Sequence, residues 1–223
     1  GYDASRAAPF VSMYWGSLMI GRWAGAINVF KPGASLKNML LLLIPLIAFG
    51  VVIGINTIAQ SDMHPLYGYI VCVFVQIGAF FLTQDKPART LLLFSVLGVL
   101  AMLTGLLTEG QTAIYAFLSG GLFCSVMWPC IFSLATAGLG KYTTQGSGFL
   151  IMMILGGSMI PPIQGKLADL LQTGSAPVGY GIHTSYWITV ACFAYLALFA
   201  FMVKRLLKQQ GIDYDAADKS NAH

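Results

Sequence analysis

Charge is what this sequence is short of. Only 9% of its 223 residues are Asp, Glu, Lys or Arg, where a soluble domain carries roughly 25%. The apolar share is 57% and the mean hydropathy is +0.75. No water-soluble fold of this size has interior enough for that much apolar surface. A soluble enzyme, a nucleic-acid-binding domain and a disordered chain are excluded together. The 12 basic residues are scattered singly rather than gathered into a patch, which leaves nucleic acid without a footprint. Catalytic signatures are missing too: there is no HExxH zinc motif, no phosphate loop and no GxSxG nucleophile elbow. Histidines number three, His64, His183 and His223. All stand in loops or the tail, so no intramembrane metal cluster can form and no metal or cofactor is expected. The last apolar run has no lysine between His183 and Val203, which excludes a Schiff-base photoreceptor. Four cysteines, Cys72, Cys124, Cys130 and Cys192, lie in apolar stretches without metal-ligand spacing. They read as inert packed thiols.

What the sequence does have is long apolar runs. About 20 such residues cross the roughly 30 Å of hydrocarbon in a bilayer. Seven segments reach or approach that length: 8–30, 37–59, 65–83, 90–108, 111–138, 146–171 and 183–206. They are far longer than the strands of an outer-membrane barrel. The expected fold is therefore all-α, a polytopic membrane helical bundle of seven transmembrane helices in a lipid bilayer. Nine of the twelve basic residues (Lys31, Lys37, Lys86, Arg89, Lys141, Lys204, Arg205, Lys208 and Lys219) fall on one side if the spans alternate. The positive-inside bias makes that side cytoplasmic, with the tail 207–223 inside and the N-terminus outside. Gly1 is not a methionine and no leader pattern follows it; an outside N-terminus then suits a chain whose earlier spans are missing.

Spans five and six are unusual in composition. Span five has Ser119-Gly120-Gly121 and then Trp128-Pro129, and span six has Gly156-Gly157, Pro161-Pro162 and Gly165. Glycine lets helix backbones approach, and proline frees carbonyls that a neighbour or a cavity must satisfy. Two adjacent spans combining both predict bending elements around a cavity, a transporter pattern. Ionisable residues within spans default to functional hypotheses. Arg22, in Gly21-Arg22-Trp23-Ala24-Gly25, reads either as a snorkelling side chain or as a gate and inter-helix donor. Lys166 and Asp169 share a helix face and predict an interfacial ion pair. Glu109 is expected to be solvated at a helix end. Asn28, Asn56, Gln76 and Gln164 are candidates for inter-helix hydrogen bonds, with Gln164 best placed for a cavity. Tyr14, Trp15, Tyr115, Phe123 and Trp128 are aromatics that either stack on sugar rings or fill space. Tyr186 and Trp187 suit the interfacial aromatic belt.

The stretch Met127-Trp128-Pro129-Cys130-Ile131-Phe132-Ser133-Leu134, then Gly146-Ser147-Gly148-Phe149, then Gly156-Gly157-Ser158-Met159-Ile160-Pro161-Pro162-Ile163-Gln164-Gly165 closing at Asp169, resembles the C-terminal half of the fucose permease branch of the major facilitator superfamily. Span one's Gly-Arg-aromatic-x-Gly looks like that family's eighth span. Spans two and three then read as an insertion, so residues 1–206 form a C-terminal transporter bundle with a two-helix insertion over 34–84.

The resemblance implies secondary active transport of a monosaccharide of the fucose, glucose or galactose class across the cytoplasmic (inner) membrane. The carrier would be a symporter using a proton or sodium ion, rocking against a missing N-terminal half and performing no covalent chemistry. Trp128 falls where the family has a cavity-lining aromatic, and Met127 stands where the family usually has a polar residue. Trp128, Gln164, Tyr14 and Phe123 are the expected substrate contacts. Arg22, Pro129, Gly156, Gly157, Pro161, Pro162, Lys166 and Asp169 are the expected gating and structural residues, with bends at Pro129 and Pro161-Pro162. The alternatives are a carrier of another small polar solute, a membrane-embedded enzyme, or a non-transporting assembly or sensor fragment.

Overall fold

A computed structural model describes residues 4–30, 32–59, 62–83, 86–174 and 176–212. The expectations placed on Gly1, Lys31, Lys219, His223 and the tail beyond 212 lie outside the described residues, as does that on the side chain of Asn28. The described chain is helical, without a strand. In order, the helices are α1 (Ala4–Ala26), α2 (Ala34–Ile58), α3 (Ile70–Thr83, entered through a 3₁₀ segment His64–Tyr69), α4 (Pro87–Leu107) and α5 (Gly110–Cys124). They continue with α6 (Met127–Thr136), α7 (Thr143–Met152), α8 (Gly156–Leu171), the short α9 (Tyr180–Ser185) and α10 (Trp187–Gln209).

These helices fall on the seven expected spans, with span five divided into α5 and α6 and span six into α7 and α8. Six of the seven are long and apolar enough to cross a membrane. The exception is α1, which has the length, 23 residues, but is diluted by small and polar residues and by Arg22. The chain is thus a multi-pass membrane helical bundle.

Two apolar cores hold the bundle. One gathers around α4, where Phe94 packs between Phe80 of α3 and Phe123 of α5, at ring-centre distances of 5.0 and 6.2 Å. The same core takes in Phe193, Ala200 and Val203 of α10 and Leu134 of α6. The other joins Met13 and Ile20 of α1, Phe49 and Val52 of α2, Tyr69, Val73 and Ile77 of span three, and Leu118 and Leu122 of α5. Within it the Tyr69 hydroxyl lies 2.9 Å from Ser17 Oγ, and Ser17 also donates to the Met13 carbonyl. Tyr69→Phe is expected to lower stability by about 1 kcal/mol, the net worth of one such bond. Thermal unfolding in detergent checks this.

The remaining span sits apart. Neither α7 nor the 3₁₀ turn Met153–Leu155 buries any residue, and α8 buries only Ala168. Nothing among the described residues lies within 4 Å of a Cβ placed on Gly156, Gly157 or Gly165.

Candidate functional site

Span five is the most informative helix because it breaks in the middle. Proline has no N–H, and its ring collides with the carbonyl four residues earlier. For Pro129 that carbonyl belongs to Ser125, and the helix stops at Ser125 and Val126, where Val126 adopts φ −109° and ψ −1°. The interruption of span five thus lies one turn upstream of Pro129, where a bend was expected. Regular structure resumes with α6, and the Cys130 N–H donates to the Val126 carbonyl at 3.4 Å.

At the break the Leu122 carbonyl is taken up by side chains. Ser125 Oγ donates to it from its own turn. Gln76 Nε2 of α3 donates to it at 3.1 Å and lies 3.4 Å from Ser125 Oγ. Gln76 is fully buried. Its Oε1 has no hydrogen-bond partner among the described residues. Helix α1 closes the junction through Gly21, where an added Cβ would stand 2.5 Å from Ser125 Cβ and collide with Gln76 Nε2. One turn earlier on α5, Gly121 lies against the Tyr14 backbone carbonyl, 2.9 Å from where its Cβ would be.

Beside the break lies a cavity of about 560 Å³, within the range of small-molecule sites. Its wall includes Arg22 of α1, Phe80 and Thr83 of α3, Thr90 of α4, Ser125 at the break and Trp128 of α6. A second cavity of about 420 Å³ is lined by Tyr14 of α1, Phe117 and Cys124 of α5, Gln164 of α8, and Tyr186 and Thr189. Cys124 borders both. Trp128, 41% exposed, therefore shares a cavity with Arg22, and Tyr14 shares the other with Gln164. Gln164 Nε2 also reaches Ser185 Oγ at 3.4 Å, tying α8 to α9.

Phe123 lines neither cavity. It is 3% exposed and stacked against Phe94 in the core, because its face of α5 turns toward α4. Helix α8 runs on through Pro161 and Pro162, and the irregularity of span six is the 3₁₀ turn Met153–Leu155 upstream of Gly156-Gly157. Lys166 and Asp169 are both exposed, and no ion pair joins them among the described residues. Two exposed side chains gain too little from pairing to offset their lost freedom. Asn56 bonds its own helix, donating to the Val52 carbonyl at 2.8 Å. Glu109 is exposed before α5, and the four cysteines are free thiols. Ser125 was not singled out in the sequence; its position four residues before Pro129 was the available signal.

The described residues thus form a multi-pass helical bundle with a broken span beside a ligand-sized cavity. No family profile matches the chain, and no solved structure matches it. The chain does have relatives among known bacterial proteins. It is 35% identical over 126 residues to a glucose/galactose transporter of Brucella abortus biovar 1 (strain 9-941), covering 56% of this chain and 28% of that protein. It is 30% identical over 123 residues to the L-fucose-proton symporter of Haemophilus influenzae, covering 55% and 28%. The L-fucose-proton symporter of Escherichia coli (strain K12) is 29% identical over 137 residues, covering 60% and 30%. The matched stretches thus span about 30% of the length of these relatives. The chain is thus similar over part of its length to bacterial proteins named as glucose/galactose transporters and L-fucose-proton symporters. Its relatives are carriers, not enzymes.

Proposed function

We propose that this chain is part of a secondary carrier that moves a monosaccharide of the fucose, glucose or galactose class across the cytoplasmic membrane by alternating access. The observation that carries this reading is a ligand-sized cavity against a broken span, with Trp128 on its wall, in a chain homologous to sugar carriers. Trp128 offers its ring to an apolar sugar face. Gln164 and Tyr14, from the neighbouring cavity, supply hydrogen bonds as the spans move, and Phe123 supports span five from behind. Arg22, with its five donors, closes the cytoplasmic side. The spans flex at Ser125-Val126, under the influence of Pro129, and at the turn before Gly156-Gly157. Proton coupling is favoured because two of the relatives are named proton symporters. A second bundle completes the passage against the bare face of span six, where Lys166 and Asp169 stand free of each other. The C-terminus lies in the cytoplasm in this reading, which the basic residues of the loops and of the end of α10 support.

Uptake of labelled glucose, galactose and fucose into proteoliposomes holding the complete protein tests this. Accumulation of at least one hexose several-fold above gradient-free vesicles is expected under an inward proton gradient. Uptake of none of the three would remove the sugar reading. Uptake driven by sodium and indifferent to protons would replace the coupling ion.

A further inference from the structure

Gln76 is chemically out of place in α3. An amide costs free energy in an apolar interior unless its groups are used. Several polar side chains of the spans satisfy themselves locally: Asn56, Thr57, Thr104 and Thr136 each donate to the carbonyl four residues back on their own helix. Gln76 does not. It reaches from α3 to α5 and donates to the Leu122 carbonyl, the acceptor at the point where span five stops being a helix. Its other half, Oε1, is left without a partner among the described residues. An apolar side chain of the same size would avoid that orphaned acceptor, so stability alone does not account for a glutamine here.

The same face of α3 continues to the cavity. Gln76, Phe80 and Thr83 stand at i, i+4 and i+7 on one helical stripe, and Phe80 and Thr83 line the 560 Å³ cavity together with Ser125 and Trp128. Trp128 follows Ser125 by less than one turn, so the angle at which α6 leaves the break sets where the indole stands. The stretch 34–84, which reads in the sequence as an addition to the bundle, thus touches both the hinge and the cavity wall.

We propose that Gln76 is a positioning residue of the carrier. Through the Leu122 carbonyl and the Ser125 hydroxyl it sets the break in span five, and it makes α3 part of the moving machinery rather than an outer appendage. The unpartnered Oε1 is an acceptor that a second arrangement of α5 and α6 can use, so the amide bears on the change of state more than on the bound state. The role rests on the carrier reading above, and its test includes a readout that does not need the substrate.

Gln76→Met keeps the size of the side chain and removes both polar ends. In the complete protein the maximal uptake rate per folded carrier is expected to fall about fivefold, with the half-saturating sugar concentration within twofold of wild type. In parallel, N-ethylmaleimide labelling of Cys124, the last residue of α5, is expected to quicken at least threefold, while Cys192 on α10 labels as before. Tyr69→Phe, which loosens α3 away from the break, is expected to change neither. Unchanged uptake and unchanged Cys124 labelling in Gln76→Met would overturn the proposal. So would equal losses in Gln76→Met and Tyr69→Phe, which would signal general packing of α3. If Gln76→Met does not fold, Ser125→Ala takes its place, and wild-type labelling of Cys124 in that variant counts against the proposal. If the wild-type protein carries no hexose, the sugar reading falls and the Cys124 comparison alone decides this one.

Discussion

Gly21→Ala is expected to destabilise the bundle by about 3 kcal/mol, the upper end of what an overpacked core methyl usually costs. The new Cβ would collide with Ser125 Oγ and Gln76 Nε2 and stand 2.5 Å from Ser125 Cβ. Neither neighbour can retreat cheaply. Ser125 is fixed by its bond to the Leu122 carbonyl, and Gln76 by its bond to the same atom. Relief therefore requires α1 to move away from α5, and Gly121, against the Tyr14 carbonyl, shows how closely those two helices meet. Gly50→Ala on α2 is the matched control, since among the described residues nothing lies within 4 Å of its Cβ position. There the substitution is expected to stabilise by up to about 1 kcal/mol through helix propensity. Thermal unfolding of the two variants in the same detergent should move in opposite directions. Adding Ser125→Gly to Gly21→Ala should recover part of the loss, as expected for residues in contact. Equal melting temperatures for Gly21→Ala and wild type would remove this junction from the account of the fold.

Most of the spans were legible because each is a long, largely apolar run bounded by polar connections. Residues 37–59 became α2 (Ala34–Ile58), and 90–108 became α4 (Pro87–Leu107). Pro129 announced the irregularity in span five, but a proline acts on the carbonyl four residues before it, so the break appears at Ser125 and Val126. The facing of the helices was not legible. Phe123 and Trp128 are both aromatic residues on span five, in a helix apolar on every side, and such a helix carries no stripe to say which face is inside. Only packing against Phe94 decides that Phe123 is core and Trp128 is cavity wall. The link between Gln76 and Leu122 was hidden for another reason. It joins residues far apart in sequence through one amide and one backbone carbonyl, and a backbone carbonyl has no signature in the sequence. Tyr14 and Gln164 meet in one cavity for the same tertiary reason, coming from spans one and six.

Trp128→Ala is expected to raise the half-saturating sugar concentration at least tenfold, equivalent to about 1.4 kcal/mol of lost binding. Trp128 lines the cavity and is 41% exposed. Little packing depends on it, so removal should leave the melting temperature nearly unchanged. Phe123→Ala provides the opposite signature. That ring is 3% exposed in the core, and its loss is expected to cost roughly 3–5 kcal/mol of stability. Trp128→Phe keeps an aromatic face and should retain most of the affinity. Trp15→Ala, at a residue 65% exposed that lines neither cavity, should retain all of it. The comparison separates two ways in which an aromatic on this bundle can matter. A binding role shifts sugar affinity without touching stability, whereas a packing role lowers stability first and uptake only in proportion to the folded carrier that remains. Wild-type affinity in Trp128→Ala would take the indole out of the site, and with it the claim that the larger cavity is where the sugar stacks.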